Sequence, residues 1–140
     1  VRIGSPFQIL LDLCGVHEGA NKLILGGPMM GISAGTTELV VVKGTSGLLL
    51  FRSEETGAYD SCIRCGRCID HCPMGLLPSE LSILCEAEAI EAAREANLLD
   101  CMECGVCSFV CPAKRPIVHF IRFGKAEVAR LKKKAAWKKD

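Results

Sequence analysis

The sequence predicts an α+β chain: a small mixed α/β unit followed by a mostly helical half. Three observations predict it. Short β-rich runs punctuated by glycine turns occupy residues 1–52, two long segments with helical periodicity occupy the second half, and a cysteine motif occurs twice between them.

In the first unit, "FQILLDLCG" (residues 7–15) is apolar at Phe7, Ile9, Leu10, Leu11, Leu13 and Cys14. It ends on Gly15, so two helical turns closed by a glycine are expected. "KLIL" is the next β-rich run and leads into "GGPMMG". That hexapeptide is glycine-rich but is not GxGxxG, so it reads as a tight turn packed on its neighbours, with Met29 and Met30 in the core, rather than as a phosphate loop. "ELVVVK" and "LLLF", separated by the "GTSG" turn, are expected to pair as a hairpin with both strands largely buried. The unit is assigned to residues 1–52. Polar "SEETGAYDS", residues 53–61, is the expected linker.

The second half, residues 62–135, alternates cysteine loop and helix. In "LPSELSILCEAEAIEAAREANLLD" Pro78 suits a first helical turn, Glu80 suits the positive helix start, and Leu81, Leu84, Cys85 and Ile90 recur at helical spacing. One amphipathic helix is expected there. Pro116 opens the second, in which Ile117, Phe120, Ile121, Gly124, Val128 and Leu131 share a face and lysines crowd the end. Residues 136–140 form a basic tail with Trp137. It reads as a solvated helix end, with anionic lipid as the alternative partner at about 1 kcal/mol per lysine.

Composition bounds the function. The chain has 140 residues, 49% of them hydrophobic, and a net charge of +1, enough for a core but without the basic excess of a nucleic-acid binder. Charge is unevenly distributed: Glu80, Glu86, Glu88, Glu91, Glu95 and Asp100 oppose only Arg94, whereas the last twenty residues carry eight lysines and arginines. No segment reaches the roughly 18 apolar residues of a membrane span, because Lys43 and the "GTSG" turn interrupt the best candidate. Ten cysteines could form a disulfide scaffold, but no secretory leader opens the sequence, so reduced, intracellular thiols are expected.

Those thiols carry the chemistry. "CIRCGRCIDHCP" at residues 62–73 returns as "CMECGVCSFVCP" at residues 101–112, with each cysteine, Gly66 and Pro73 repeated 39 positions later. An iron–sulfur cubane needs four thiolates, and C-x2-C-x2-C wraps three corners with one tight loop. The fourth cysteine of each copy, followed by proline, closes the other copy's cluster in two-cluster ferredoxins. The spacing therefore assigns Cys62, Cys65, Cys68 and Cys111 to one 4Fe-4S cluster and Cys101, Cys104, Cys107 and Cys72 to a second. Gly66 and Gly105 would let backbone amides approach cluster sulfurs, and Arg64 and Arg67 would ease reduction of a cluster bearing roughly two negative charges. Structural zinc also uses four cysteines but usually separates its pairs by a long insert; a zinc-stabilised interaction module is the alternative from another class. Clusters fully ligated by thiolate leave no iron open to substrate, so the expected activity is electron relay, with no catalytic residues. Cys14 and Cys85 are expected as buried, small hydrophobes, and His17, His71 and His119 are not expected as ligands.

Taken together, "CIRCGRCIDHCPMGLLPSEL", "DCMECGVCSFVCPAKRPIVHFIR", "GGPMMG" and "VVKGTSG" resemble the C subunit of Rnf-type electron transport complexes over nearly the whole chain. The resemblance implies a partial β-grasp unit of the soluble-ligand-binding type, followed by an α-helical ferredoxin-like domain whose eight ligands match the cysteines above. It also implies a peripheral place on the cytoplasmic face of the membrane, and partners among the other subunits and a redox protein such as ferredoxin. In that family the C subunit takes electrons from NADH through a flavin and passes them to subunits that move sodium or protons. Because this chain begins inside the β-grasp region, FMN and NADH are expected only on a missing upstream region, whether the chain is a fragment or a natural short form. An iron–sulfur/flavin cobalamin reductase has similar modules and is the nearest alternative. Iron–sulfur subunits of succinate dehydrogenase and heterodisulfide reductase share the helical unit but do not account for "GGPMMG".

Overall fold

The computed structural model describes residues 1–52 and 58–137. The chain divides into two compact units, residues 1–57 and 58–140. The greater part of the expected linker, residues 53–57, and the end of the basic tail, residues 138–140, lie outside the described residues.

In the first unit, helix α1 (Phe7–Cys14) ends at Gly15, whose φ of 75° is readily reached only without a Cβ. Strand β1 (Lys22–Leu25) is the middle of a three-stranded antiparallel sheet ordered β2-β1-β3, with β2 at Ile32–Ala34 and β3 at Leu48–Phe51. Leu25 faces Ile32 on one side and Leu48 on the other. Among the described residues of this unit, Phe7, Leu11 and Leu23 are the buried apolar side chains.

The sheet corrects the expected hairpin. "LLLF" pairs with β1, and the "ELVVVK" run folds back on the chain start instead. Phe7 N–H donates to Leu39 O (2.9 Å), Val41 N–H to Ser5 O (2.8 Å), and Pro6 bridges Val40. Both runs have β propensity, but propensity does not name a partner, and these backbone groups are satisfied by distant segments. Nor are the runs largely buried, since Val40, Val42 and Phe51 are exposed.

The tight turn after β1 is present. Gly31 N–H bonds Gly27 O at 2.8 Å, and a Cβ on Gly31 would stand 2.8 Å from Leu25 O and collide with Ile24. Met29 and Met30, expected in the core, are exposed on that turn. Cys14, expected buried, is also exposed: it is the last helical residue, beyond the turn that buries Phe7 and Leu11.

The second unit repeats itself at 39 residues. Short helices α2 (Arg67–Asp70) and α5 (Val106–Phe109) are one repeat apart, as are the starts of α3 (Pro78–Glu86) and α6 (Ile117–Trp137). Their core comprises Leu81 and Cys85 of α3, Ala93 of α4 (Ile90–Glu95), Leu98 of a 3-10 turn (Leu98–Asp100), and Ile117, Ile121 and Val128 of α6. Ser108 Oγ accepts Val118 N–H at 3.0 Å, satisfying a donor in the first turn of α6.

The single helix expected over residues 78–100 is three pieces. Glu88 (φ 56°) and Asn97 (φ 63°) adopt left-handed backbone, which ends α3 and α4 in turn. The bends let Leu81, Cys85, Ala93 and Leu98 enter one core. No glycine or proline marks them, so local sequence carries little sign of the breaks. On the second helix, Ile117, Ile121, Gly124 and Val128 are buried as the periodicity predicts. Leu131 is exposed, and the helix continues through exposed Trp137.

Candidate metal centre

The loops before and after α2 and α5 curl in the same way. Arg64 and Glu103 have φ of 54° and 58°, Gly66 and Gly105 have 80° and 86°, and Gly75 and Lys114 have 62° and 51°. Each pair is one repeat apart. Left-handed residues alternating with ordinary ones gather N–H groups into the hollows that recur at phosphate and iron–sulfur sites. At Gly66 a Cβ would meet no protein atom within 4 Å, and a φ of 80° is by itself a reason for glycine there.

Two cavities follow from this arrangement. One, of about 110 Å³, has Cys62, Cys65, Cys68 and Cys111 in its wall. The other, about 20 Å³, has Cys72, Cys101, Cys104 and Cys107. Each wall takes three cysteines from one repeat and the fourth from the other. Among the described residues no three His, Cys, Asp or Glu side chains converge closely enough for a single ion; the thiols stand around a volume instead of a point. Cys85 is buried outside both walls, against Gly124, as a small apolar group. The walls contain no histidine: His71 Nδ1 lies 2.9 Å from Arg67 O, and His119 meets the Phe120 ring edge-on.

Burial governs the thiols. It pushes Cys107 up to about 11, and it also raises Cys101, where an N–H from Glu103 (3.4 Å) and the charge of Lys125 pull the other way. Without metal these two thiols hold their protons at neutral pH, so binding iron as thiolates must release them.

Charges differ between the sites. Exposed Arg64 lines the first cavity; Arg67, exposed at the start of α2, does not. Beside the second, Glu103 bonds Arg122 Nε (2.9 Å) and Lys125 Nζ (3.0 Å), and Lys125 also donates to Cys101 O. Burial opposes ionisation of Glu103, but these hydrogen bonds hold its carboxyl below the usual range. The sequence reading missed Arg115, a buried residue in the wall of the first cavity. Overlaying the halves at 39 residues sets Arg115 against Leu76, which lines the second wall; that mismatch is the sign of it in the sequence, and its place in the wall is not.

A family model described as a 4Fe-4S dicluster domain matches residues 61–115, spanning all eight motif cysteines. Residues 61–115 are a 4Fe-4S dicluster domain. Its donors fit such a group: four thiols surround each cavity of the dicluster domain, and Arg115 Nε, buried beside one of them, has no partner among the described residues.

The resemblance to Rnf-type C subunits extends beyond the dicluster domain. The chain is 47% identical over 131 residues to the C subunit of the proton-translocating ferredoxin:NAD(+) oxidoreductase complex of Clostridium ljungdahlii, covering 91% of this chain and 29% of that protein. It is 39% identical to the C subunit of the Na(+)-translocating ferredoxin:NAD(+) oxidoreductase complex of Acetobacterium woodii, covering 96% and 31%. Against the C subunit of the ion-translocating oxidoreductase complex of Rhodobacter capsulatus it is 40% identical, covering 92% and 25%. The chain thus spans less than a third of the length of these relatives. No helix among the described residues is long and apolar enough to cross a membrane.

Proposed function

We propose that this chain relays electrons through two 4Fe-4S clusters as part of the C subunit of an Rnf-type, ion-translocating oxidoreductase complex. The observation that carries the reading is the pair of cavities, each walled by three cysteines of one repeat and the fourth of the other. Cys62, Cys65, Cys68 and Cys111 hold one cluster, and Cys101, Cys104, Cys107 and Cys72 hold the second. When bound, such clusters accept and return single electrons. The protein's part is to supply thiolates, exclude water with apolar walls such as Ile69, Ile117, Leu81 and Ile121, and hold the two sites together by crossed ligation.

The names of the relatives support a partnership with the other subunits of a ferredoxin:NAD(+) oxidoreductase complex, ferredoxin being the redox protein and a membrane the place of assembly. The chain would sit peripherally on the cytoplasmic face. Residues 1–52 are read as part of a β-grasp unit, a proposal supported by the small antiparallel sheet and α1, with 53–61 as linker, 62–135 as the ferredoxin-like domain and 136–140 as a basic tail. FMN and NADH would bind outside these residues.

Anaerobic purification followed by iron, sulfide and zinc analysis tests the reading. About eight irons per chain and a paramagnetic signal on dithionite reduction are expected. Colourless, zinc-loaded protein, or iron protein with no paramagnetic state after reduction, would refute it.

A further inference from the structure

Arg115 is the one buried charged side chain among the described residues, at 5% exposure. It lies in the wall of the first cavity. Its Nη2 donates to Glu86 Oε2 at 2.5 Å, and its Cζ stands 5.4 Å from the centre of the Tyr59 ring and 5.5 Å from that of Phe120. Tyr59 Oη donates to the other Glu86 oxygen at 2.7 Å. The guanidinium is thus clamped by a carboxylate and two rings, yet its buried Nε has no hydrogen-bond partner among the described residues. Leaving such a donor unsatisfied is costly, and more so when it is charged. A cluster sulfur or its thiolate is an acceptor of the kind this cavity would contain.

We propose that Arg115 tunes the cluster held by Cys62, Cys65, Cys68 and Cys111 and makes it the higher-potential member of the pair. This rests on the two-cluster reading above. Reduction adds one negative charge to a cluster that is already anionic, and a charge-assisted N–H donor stabilises the added charge. Glu86 is outside the cavity wall and 36% exposed, so water screens it, and the positive end of the Arg115–Glu86 pair is the end at the cavity. At the equivalent place in the second wall Leu76 offers no donor. Lys125, beside that site, is engaged with Glu103 and the Cys101 carbonyl, Arg122 is engaged with Glu103, and neither is part of the wall. With one electron shared between the sites, the second cluster is oxidised by one electron as the first is reduced.

The test is redox potentiometry followed by electron paramagnetic resonance on anaerobic chain, with the first cluster's signal identified through Cys65→Ser. Arg115→Leu, which copies the counterpart, is expected to lower the first cluster's potential alone. The shift in electron partition between the sites should be tenfold or more, about 59 mV for one electron. Arg115→Lys keeps the charge without the Nε–H and should lower the same potential by less. An unmoved first potential, or equal shifts at both clusters, overturns the proposal. Loss of iron from the first site in both variants also overturns it and makes Arg115 a folding requirement. Absence of clusters from the wild-type chain is a separate failure, that of the two-cluster reading itself.

Discussion

Cys85 of α3 packs directly on Gly124 of α6: a Cβ added to Gly124 would overlap the Cys85 Sγ and come within 3.2 Å of Leu98 Cδ2. The two residues are 39 positions apart and therefore equivalent in the repeat. The two copies of the repeat therefore meet where α3 packs on α6.

Gly124→Ala should destabilise the second unit. Alanine improves helix propensity by about 1 kcal/mol, but overpacking a filled core costs about 1–3 kcal/mol, and at this site the neighbour is a buried side chain. Thermal unfolding of Gly124→Ala, Cys85→Ala and the double variant checks it. The double variant is expected to unfold above Gly124→Ala, since removing Sγ relieves the overlap.

Gly66→Ala and Gly105→Ala should each weaken a cluster loop through backbone strain, since φ near 80° costs an L-residue about 1–2 kcal/mol. Asparagine tolerates that conformation better than other L-residues, so Gly66→Asn should be milder than alanine. Iron retention after mild chelation, ranked glycine, asparagine, alanine, is the measurement.

Replacing Cys72 with alanine should damage the cluster of the other motif. Cys72 lies in a wall with Cys101, Cys104 and Cys107, away from Cys62 and Cys65. Iron analysis should fall by about half or less, and the lost resonance should match that lost in Cys104→Ala. Loss matching Cys65→Ala instead would refute the crossed assignment.

The Glu86 carboxyl should make stability dependent on pH. The Arg115 hydrogen bond, then the Tyr59 hydrogen bond, hold it below the usual carboxylate range. A lowered folded-state value stabilises the fold above the unfolded value, about pH 4.3, and that contribution is lost as pH falls through the lower, folded value. The melting-temperature advantage of wild type over Glu86→Gln should therefore be full at pH 7 and shrink below about pH 4. An advantage independent of pH down to about 3 would refute the linkage.

The sequence by itself carried the pattern that the 4Fe-4S dicluster model matches, because that pattern is local spacing: both C-x2-C-x2-C loops, their 39-residue offset and the prolines need no knowledge of distant contacts. It also determined α1 and α6, whose glycine stop, proline start and buried faces are local signals. Only the tertiary structure decided which β-rich runs pair, since the groups of residues 39–41 and 48–51 are satisfied by segments far away in sequence. It alone decided that residues 78–100 bend at Glu88 and Asn97, because no glycine or proline there announces positive φ. And it alone revealed Arg115 at a cavity wall where its repeat partner is Leu76. Periodicity can mark a position as inward, but whether an inward residue bears a charge toward a metal site depends on what the other repeat brings against it.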